Sequence, residues 1–219
     1  MTMDKLVVFG ASGLARVVCC YFTHDSPYTV AAFTVDAEYM REDTQLGLPV
    51  VPFKGVEVLY PPDEFGMFVA VAMPKLRAAK CNEAKAKGYE LASCVCSTAT
   101  IWPGTDIAEN CLVGPLVSIE PFAKIGKDVW LTDGCVVAHD ASIGDHCYLA
   151  GHAVVLGEAT VEPYCFLGAN STIRDRITIA RECVVGAGAL ILKDTREKGV
   201  YMGTPSTLLP VPSDELPRV

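Results

Sequence analysis

From Val95 to Ile191 every sixth residue of the chain is Ile, Leu or Val. No helix repeats at six, and an isolated strand alternates at two. A period of six predicts a parallel β-helix of hexapeptide repeats, with three sixes to a rung and corners between short strands. Four residues after each aliphatic comes a second, mostly small one, as at Cys111, Ala123, Cys135, Ala141, Cys147, Ala153, Cys165, Ser171 and Cys183. Alternation turns both sets inward, so one large and one small side chain fill each side of a narrow triangular core. Gly, Asp, Asn and Pro fall mostly between them, where corners need them.

The same register predicts the outside. Residues just before the aliphatics point outward, and positions eighteen apart share a face. Leu112, Trp130, Tyr148, Phe166 and Val184 form an apolar column, while Asp106, Lys124, Ser142, Thr160, Thr178 and Arg196 form a polar one. A continuous apolar stripe on an outer face predicts an oligomer contact or a ligand groove.

The first 92 residues read differently, as a small α/β domain. Lys5 to Phe9 is an apolar run, followed by Gly10-Ala11-Ser12-Gly13 and a helical stretch to about Thr23. Strand, glycine turn and helix open a nucleotide-binding βαβ unit, whose turn offers backbone N–H groups to a phosphate. Gly10, Ser12 and Gly13 are the candidate residues there. The third glycine of the full fingerprint is missing, and a plain tight turn also accounts for the pattern. A second strand over Tyr28–Val35 ends at Asp36, where such folds often place an acid against a ribose or base. Gly47 to Tyr60, rich in Pro, Gly and Val, reads as a loop with short extended pieces. Met67–Met73 is a buried strand, Pro74 starts a helix and Gly88 ends it. The organisation expected is thus 1–92 Rossmann-like, 93–196 coils, and 197–219 a proline-rich tail or arm.

Bulk properties narrow the function. With 219 residues, a net charge of −8 and no basic run, the chain does not present the footprint of a nucleic-acid binder. No apolar run is long enough to span a bilayer, and no signal peptide is evident. Ten cysteines without zinc-ribbon or CxxC spacing, five of them in the small interior slot, read as free thiols in a reducing cytoplasm. No metal is expected.

The candidate chemistry centres on His139. It falls at a corner, with Asp140 beside it and Gly157 one rung above. Histidine is the usual base near neutrality, and a neighbouring carboxylate can fix its tautomer and support its charged form. His146 and His152 take a common slot at successive corners. His146 reads as a surface residue. His152 stacks with Gly134, Asn170 and Gly188 and is the second candidate base.

The order of a Rossmann-like domain and hexapeptide coils resembles the NeuD/PglD-type bacterial sugar acyltransferases. The likeness is carried by Val7-Val8-Phe9-Gly10-Ala11-Ser12-Gly13 and His139-Asp140-Ala141-Ser142-Ile143-Gly144-Asp145. It continues in Cys165-Phe166-Leu167-Gly168-Ala169-Asn170-Ser171, Val185-Gly186-Ala187-Gly188-Ala189 and Gly199-Val200-Tyr201-Met202-Gly203-Thr204-Pro205. It implies a left-handed β-helix and a homotrimer. Acetyl-CoA would lie between neighbouring prisms, near Tyr148, His152, Gly157, Ala169 and Ala187. A nucleotide-linked amino sugar would be held by residues 1–92, and His139 with Asp140 would be catalytic. The implied reaction is N-acetylation of an amino-dideoxy sugar, with O-acetylation of a sialic acid or other sugar hydroxyl as the alternative. A zinc hydratase and a non-catalytic trimeric scaffold are the readings from other classes. The sequence departs from the family at Leu14-Ala15, where His-Gly is usual. It also departs at Tyr148, where a second histidine stands, at His152, often glycine, and at Thr207, usually lysine.

Overall fold

The computed structural model describes residues 4–207 and Pro210. Chain order in the N-terminal part is β1 (Lys5–Phe9), α1 (Gly13–Asp25), β2 (Thr29–Val35), one 3₁₀ turn (Ala37–Tyr39), β3 (Thr44–Gln45), β4 (Leu48–Pro52), α2 (Val56–Leu59), β5 (Gly66–Val69) and α3 (Pro74–Ala86). One sheet has the order β3-β4-β2-β1-β5, parallel except for the β3–β4 hairpin. α1 forms because Ala15, Val18, Cys19 and Phe22 recur at helical spacing on one buried face, and the Ser12 hydroxyl accepts from the Ala15 N–H at the first turn. α3 begins at Pro74, which needs no N–H there, and is followed by Gly88 at φ 95°.

One sequence expectation fails in this part. Residues 48–52, within the stretch read as a loop with short extended pieces, form the strand β4, whose Val50–Pro52 pair in parallel with β2, and Val56–Leu59 form α2. The prolines misled the reading. Pro49 pairs with Thr44 within the short β3–β4 hairpin and Pro52 ends the strand, positions where a missing N–H is tolerated. Leu46 and Gly47, both at positive φ, make the two-residue turn such a hairpin favours.

The coils build a three-faced prism of two-residue strands in parallel register eighteen apart. Face I carries the strands at 94–95, 112–113, 130–131, 148–149, 166–167, 184–185 and 200–201. Face II carries those at 100–101, 118–119, 136–137, 154–155, 172–173 and 190–191, and face III those at 124–125, 142–143, 160–161 and 178–179. The interior aliphatics and small residues form one continuous core. The strand Val200–Tyr201 pairs beside Val184–Val185, so the coils extend past Arg196 into the stretch read as tail. Residues 208, 209 and 211–219 of that tail lie outside the described residues. Each edge keeps one residue per rung in the left-handed backbone region: Asn110, Asp128, His146, Tyr164 and Glu182 on edge III/I. On edge I/II they are Leu116, Gly134, His152, Asn170 and Gly188, and on edge II/III Phe122, Asp140, Glu158 and Arg176.

The five coil cysteines are buried, as their slot predicts. They are not mere fillers, because each turns its S–H to a backbone carbonyl at 3.1–3.4 Å.

The apolar column on face I has another use than the sequence suggested. Leu112 and Trp130 are fully covered by the chain's own N-terminal part, in one cluster with Phe22, Phe68 and Cys94. Phe68, Trp130, Tyr148 and Phe166 stack as a ladder with centroids 5.0–5.9 Å apart. The stripe is therefore, for its first rungs, the seat of the α/β part. Open apolar side chains gather elsewhere, on face II and its edges: Trp102, Leu116, Phe122, Leu156, Leu190 and Leu192.

Candidate active site

His139 stands on edge II/III, the edge opposite face I. Its backbone N–H donates to Glu120 Oε2 at 2.8 Å, and its Nδ1 lies 3.0 Å from Asp140 Oδ2. Asp140 is held by the corner itself, at φ 58°. With Nδ1–H donated to the carboxylate, Nε2 is left as the free acceptor. The ring lies over Gly157: a Cβ there would stand 2.7 Å from Nε2. Any side chain at 157 would displace the imidazole. The side chain is 57% exposed, so the face of Nε2 is open. The Asp140 hydrogen bond raises the His139 pKa above its ordinary value, with added support from the charges of Asp140, Glu120 and Glu158. Glu158 is itself held by Arg176, at 2.8 and 3.0 Å, and its carboxyl is lowered by that contact. The edge therefore presents an oriented base with an open face, next to a position stripped of its side chain.

The other residues singled out from sequence divide between places. His152, Ala169 and Ala187 belong to edge I/II, where the His152 ring lies over Gly134. Gly157 is on edge II/III with His139. These two edges bound face II, so within one chain they flank it rather than meet. Tyr148 is on neither edge; it is stacked between Trp130 and Phe166 on face I.

His146 corrects the reading of it as a surface residue. It is buried on edge III/I, with Nδ1 2.8 Å from Asp128 Oδ2 and its ring stacked on Tyr164. His139, His146 and His152 thus stand on three different edges, and no two share a site within the chain.

The glycine turn borders a crevice above the C-terminal ends of β1, β2 and β5. Gly10 has φ 121°, and a Cβ there would meet Ala70 O at 2.8 Å, so only glycine fits. On one side of the turn a cavity of about 610 Å³ is lined by Gly10, Ser12, Leu14, Asp36, Met73 and Lys80. On the other, one of about 570 Å³ is lined by Ser12, Gly13, Arg16, Tyr39, Arg41 and Gln45. Asp36 faces this crevice but is engaged by Lys80 at 2.9 Å. The Ser12 hydroxyl is occupied in capping α1.

Sequence reasoning missed Arg77. It is fully buried on α3 and paired to Asp128 at 2.7 Å. Asn110, one rung below, donates to Asp128 Oδ1 and accepts from the Val69 N–H. Asn110, Asp128 and His146 recur eighteen apart, a polar column that the repeat register could have revealed. Nothing in the local sequence marks Arg77, whose partners on the prism lie more than fifty residues away.

Comparison with known proteins fits both halves. The family model described as the PglD N-terminal domain matches residues 5–84. Those described as bacterial transferase hexapeptide (six repeats) and hexapeptide repeat of succinyl-transferase match 122–157 and 159–193. The perosamine N-acetyltransferase of Caulobacter crescentus, solved with CoA and GDP-perosamine, superposes with TM-score 0.85 at 26% identity, over 94% of this chain and 97% of that one. A PglD N-terminal domain followed by transferase hexapeptide repeats is the make-up of the NeuD/PglD-type sugar acyltransferases, which this chain resembles over nearly its whole length. The left-handed β-helix that the resemblance implied goes with it. Two further relatives share the fold. The acetyltransferase domain of PglB from Neisseria gonorrhoeae, in complex with acetyl coenzyme A, aligns at TM-score 0.84 and 22% identity, over 94% of this chain and 99% of that one. WeeI from Acinetobacter baumannii aligns at 0.82 and 24%, with the same coverages. The coil thiols are turned inward.

Proposed function

We propose that this protein transfers the acetyl group of acetyl-CoA directly to the amino group of a nucleotide-linked amino-dideoxy sugar, a 4-amino-4,6-dideoxyhexose, in surface glycan biosynthesis. The observation that carries the reading is the His139–Asp140 pair with Nε2 lying over Gly157. The acceptor nitrogen attacks the thioester carbonyl, a C–N bond forms and the C–S bond breaks. His139 Nε2 takes the proton the nitrogen sheds and returns it to the departing sulfur. Asp140 holds the ring and supports its charged form. Among the relatives, one solved with CoA and a GDP-linked amino sugar supports the choice of both substrates.

The same geometry favours a homotrimer. The crevice at Gly10, Ser12, Gly13 and Asp36 belongs to the part seated on face I, whereas His139 projects from the opposite edge. One chain therefore keeps its acceptor crevice and its base on opposite sides, and a neighbour must bring the two together. The apolar side chains of face II are the surface for that contact. Such packing places Gly157 of one copy beside the Ala169, Ala187 and His152 edge of the next, which is where acetyl-CoA would lie. Tyr148, engaged on face I, drops out of that set.

The test is thiol release from acetyl-CoA against a panel of nucleotide-linked amino sugars and their hydroxyl counterparts. Turnover of an amino sugar, lost in His139→Ala, is expected. Turnover confined to hydroxyl acceptors, or retained in His139→Ala, would overturn the proposal.

A further inference from the structure

The Arg77 guanidinium spends its N–H groups on two structures at once. Toward the prism, Nε reaches Asp128 Oδ1 at 2.7 Å, and Nη2 reaches the carbonyls of Asp128, His146 and Cys147 at 2.9–3.1 Å. Toward its own domain, Nη1 reaches the carbonyls of Val71 and Ala72 at 3.1 and 3.0 Å. A link that merely glued α3 to the coils would need only the first set. The second set binds the segment after β5, and Ala70, Val71, Ala72 and Met73 are the wall of the 610 Å³ cavity. Below it, Asn110 brackets Val69 with both ends of its amide, at 2.8 and 3.3 Å, and shares Asp128 with Arg77. The rung-by-rung polar column of edge III/I is thereby tied to one lip of the crevice. A lysine could not replace this, since a single nitrogen cannot serve a carboxylate and carbonyls on both sides of a planar fork.

We propose that Arg77 is a positioning residue for the acceptor: it fixes the Val71–Met73 lip of the crevice against the prism, and so sets where the acceptor is presented. This rests on the reading that the crevice holds a nucleotide-linked sugar. Removing one member of a buried pair leaves a stranded charge, whereas neutralising both is often tolerated. The decisive variant is therefore the double Arg77→Met/Asp128→Asn. Asparagine suits the left-handed corner at 128, which has φ 54°. Arg77→Lys is the conservative companion.

In the double variant, folded by circular dichroism, KM for the sugar nucleotide should rise about tenfold or more, because the lip is no longer held in register. KM for acetyl-CoA should stay near wild type, while kcat at saturating acceptor falls, because the bound acceptor is presented out of place. Arg77→Lys should show the same split. An unchanged acceptor KM in a folded variant, or equal rises in both KM values, overturns the proposal; the second result is what general loosening gives. Calorimetry with free UDP, GDP and dTDP separates this inference from the functional reading. If the wild type binds one of them but acetylates no sugar nucleotide, the reading fails, and a weaker affinity in the variants still supports the clamp. If affinity is the same in wild type and variants, or if no nucleotide binds the wild type, the clamp falls.

Discussion

Two edges of one prism carry the same device and use it in opposite ways. On edge II/III, His139 pairs with Asp140 at 3.0 Å in the open; on edge III/I, His146 pairs with Asp128 at 2.8 Å under the α/β part. Both edges repeat every eighteen residues, and both hold their corner residues in the left-handed region. What differs is the covering. Edge III/I faces α3 and receives Arg77, so its carboxylate is committed to a buried pair and its histidine to a stack with Tyr164. Edge II/III faces away from α3, so its imidazole stays open to solvent. A histidine–aspartate pair is thus not in itself a catalytic signal. What sets the candidate His139 apart is an exposed ring over an open corner.

The largest effect expected from this contrast is on turnover. His139→Ala should lower acetyl transfer by about 10²–10⁴-fold, the usual worth of general-base help. His146→Ala should leave turnover per folded molecule near wild type. Steady-state thiol release on matched folded samples checks both, and the reverse order would exchange the roles assigned to the two edges.

Stability should divide the other way. Asp128→Asn alone strands the Arg77 charge in the interior, and should cost about 3–5 kcal/mol in chemical denaturation. Asp140→Asn, half-exposed on the outer edge, should shift the midpoint very little. Equal losses would mean that the two edges are not differently loaded.

A smaller effect follows from the open corner. Gly157→Ala places a methyl where His139 Nε2 now lies, 2.7 Å away, so the ring must turn off its hydrogen bond to Asp140. Transfer should fall by about tenfold, since small misplacements of reacting groups are costly. Gly134→Ala makes the corresponding intrusion on His152, and should leave the proton-transfer step intact.

The smallest effect is a shift in a pH profile. His139 must be neutral to accept a proton, and its pKa is raised. kcat/KM should therefore climb with pH through an apparent pKa above that of ordinary histidine, and level off once the ring is neutral. Asp140→Asn removes the main cause of the rise, so the profile should move to lower pH. A profile that stays in place would detach Asp140 from the base.

The prism was legible in the sequence because a two-residue strand has almost no freedom. Its inward residue must be aliphatic, its corner must turn, and the rule repeats from Val95 to Ile191. The candidate corner was legible for the same reason, since register placed His139, Asp140 and Gly157 together on one edge. β4 was hidden by its prolines, which are read locally although their tolerance depends on which neighbour the strand meets. The use of the apolar column was also hidden. Trp130 is apolar whether it faces another copy or its own α/β part, and only the docking of Phe68 decided between them. Arg77 lay beyond reach altogether. A charged residue on a short helix usually faces water, and its burial is stable here because Asp128 and three carbonyls of the prism, with two from the segment just before α3, surround it. Periodic sequence fixes what each residue does within its own rung, because those neighbours are set by spacing. What lies against the rung from outside is set by tertiary packing, and that packing separated the buried His146 edge from the open His139 edge.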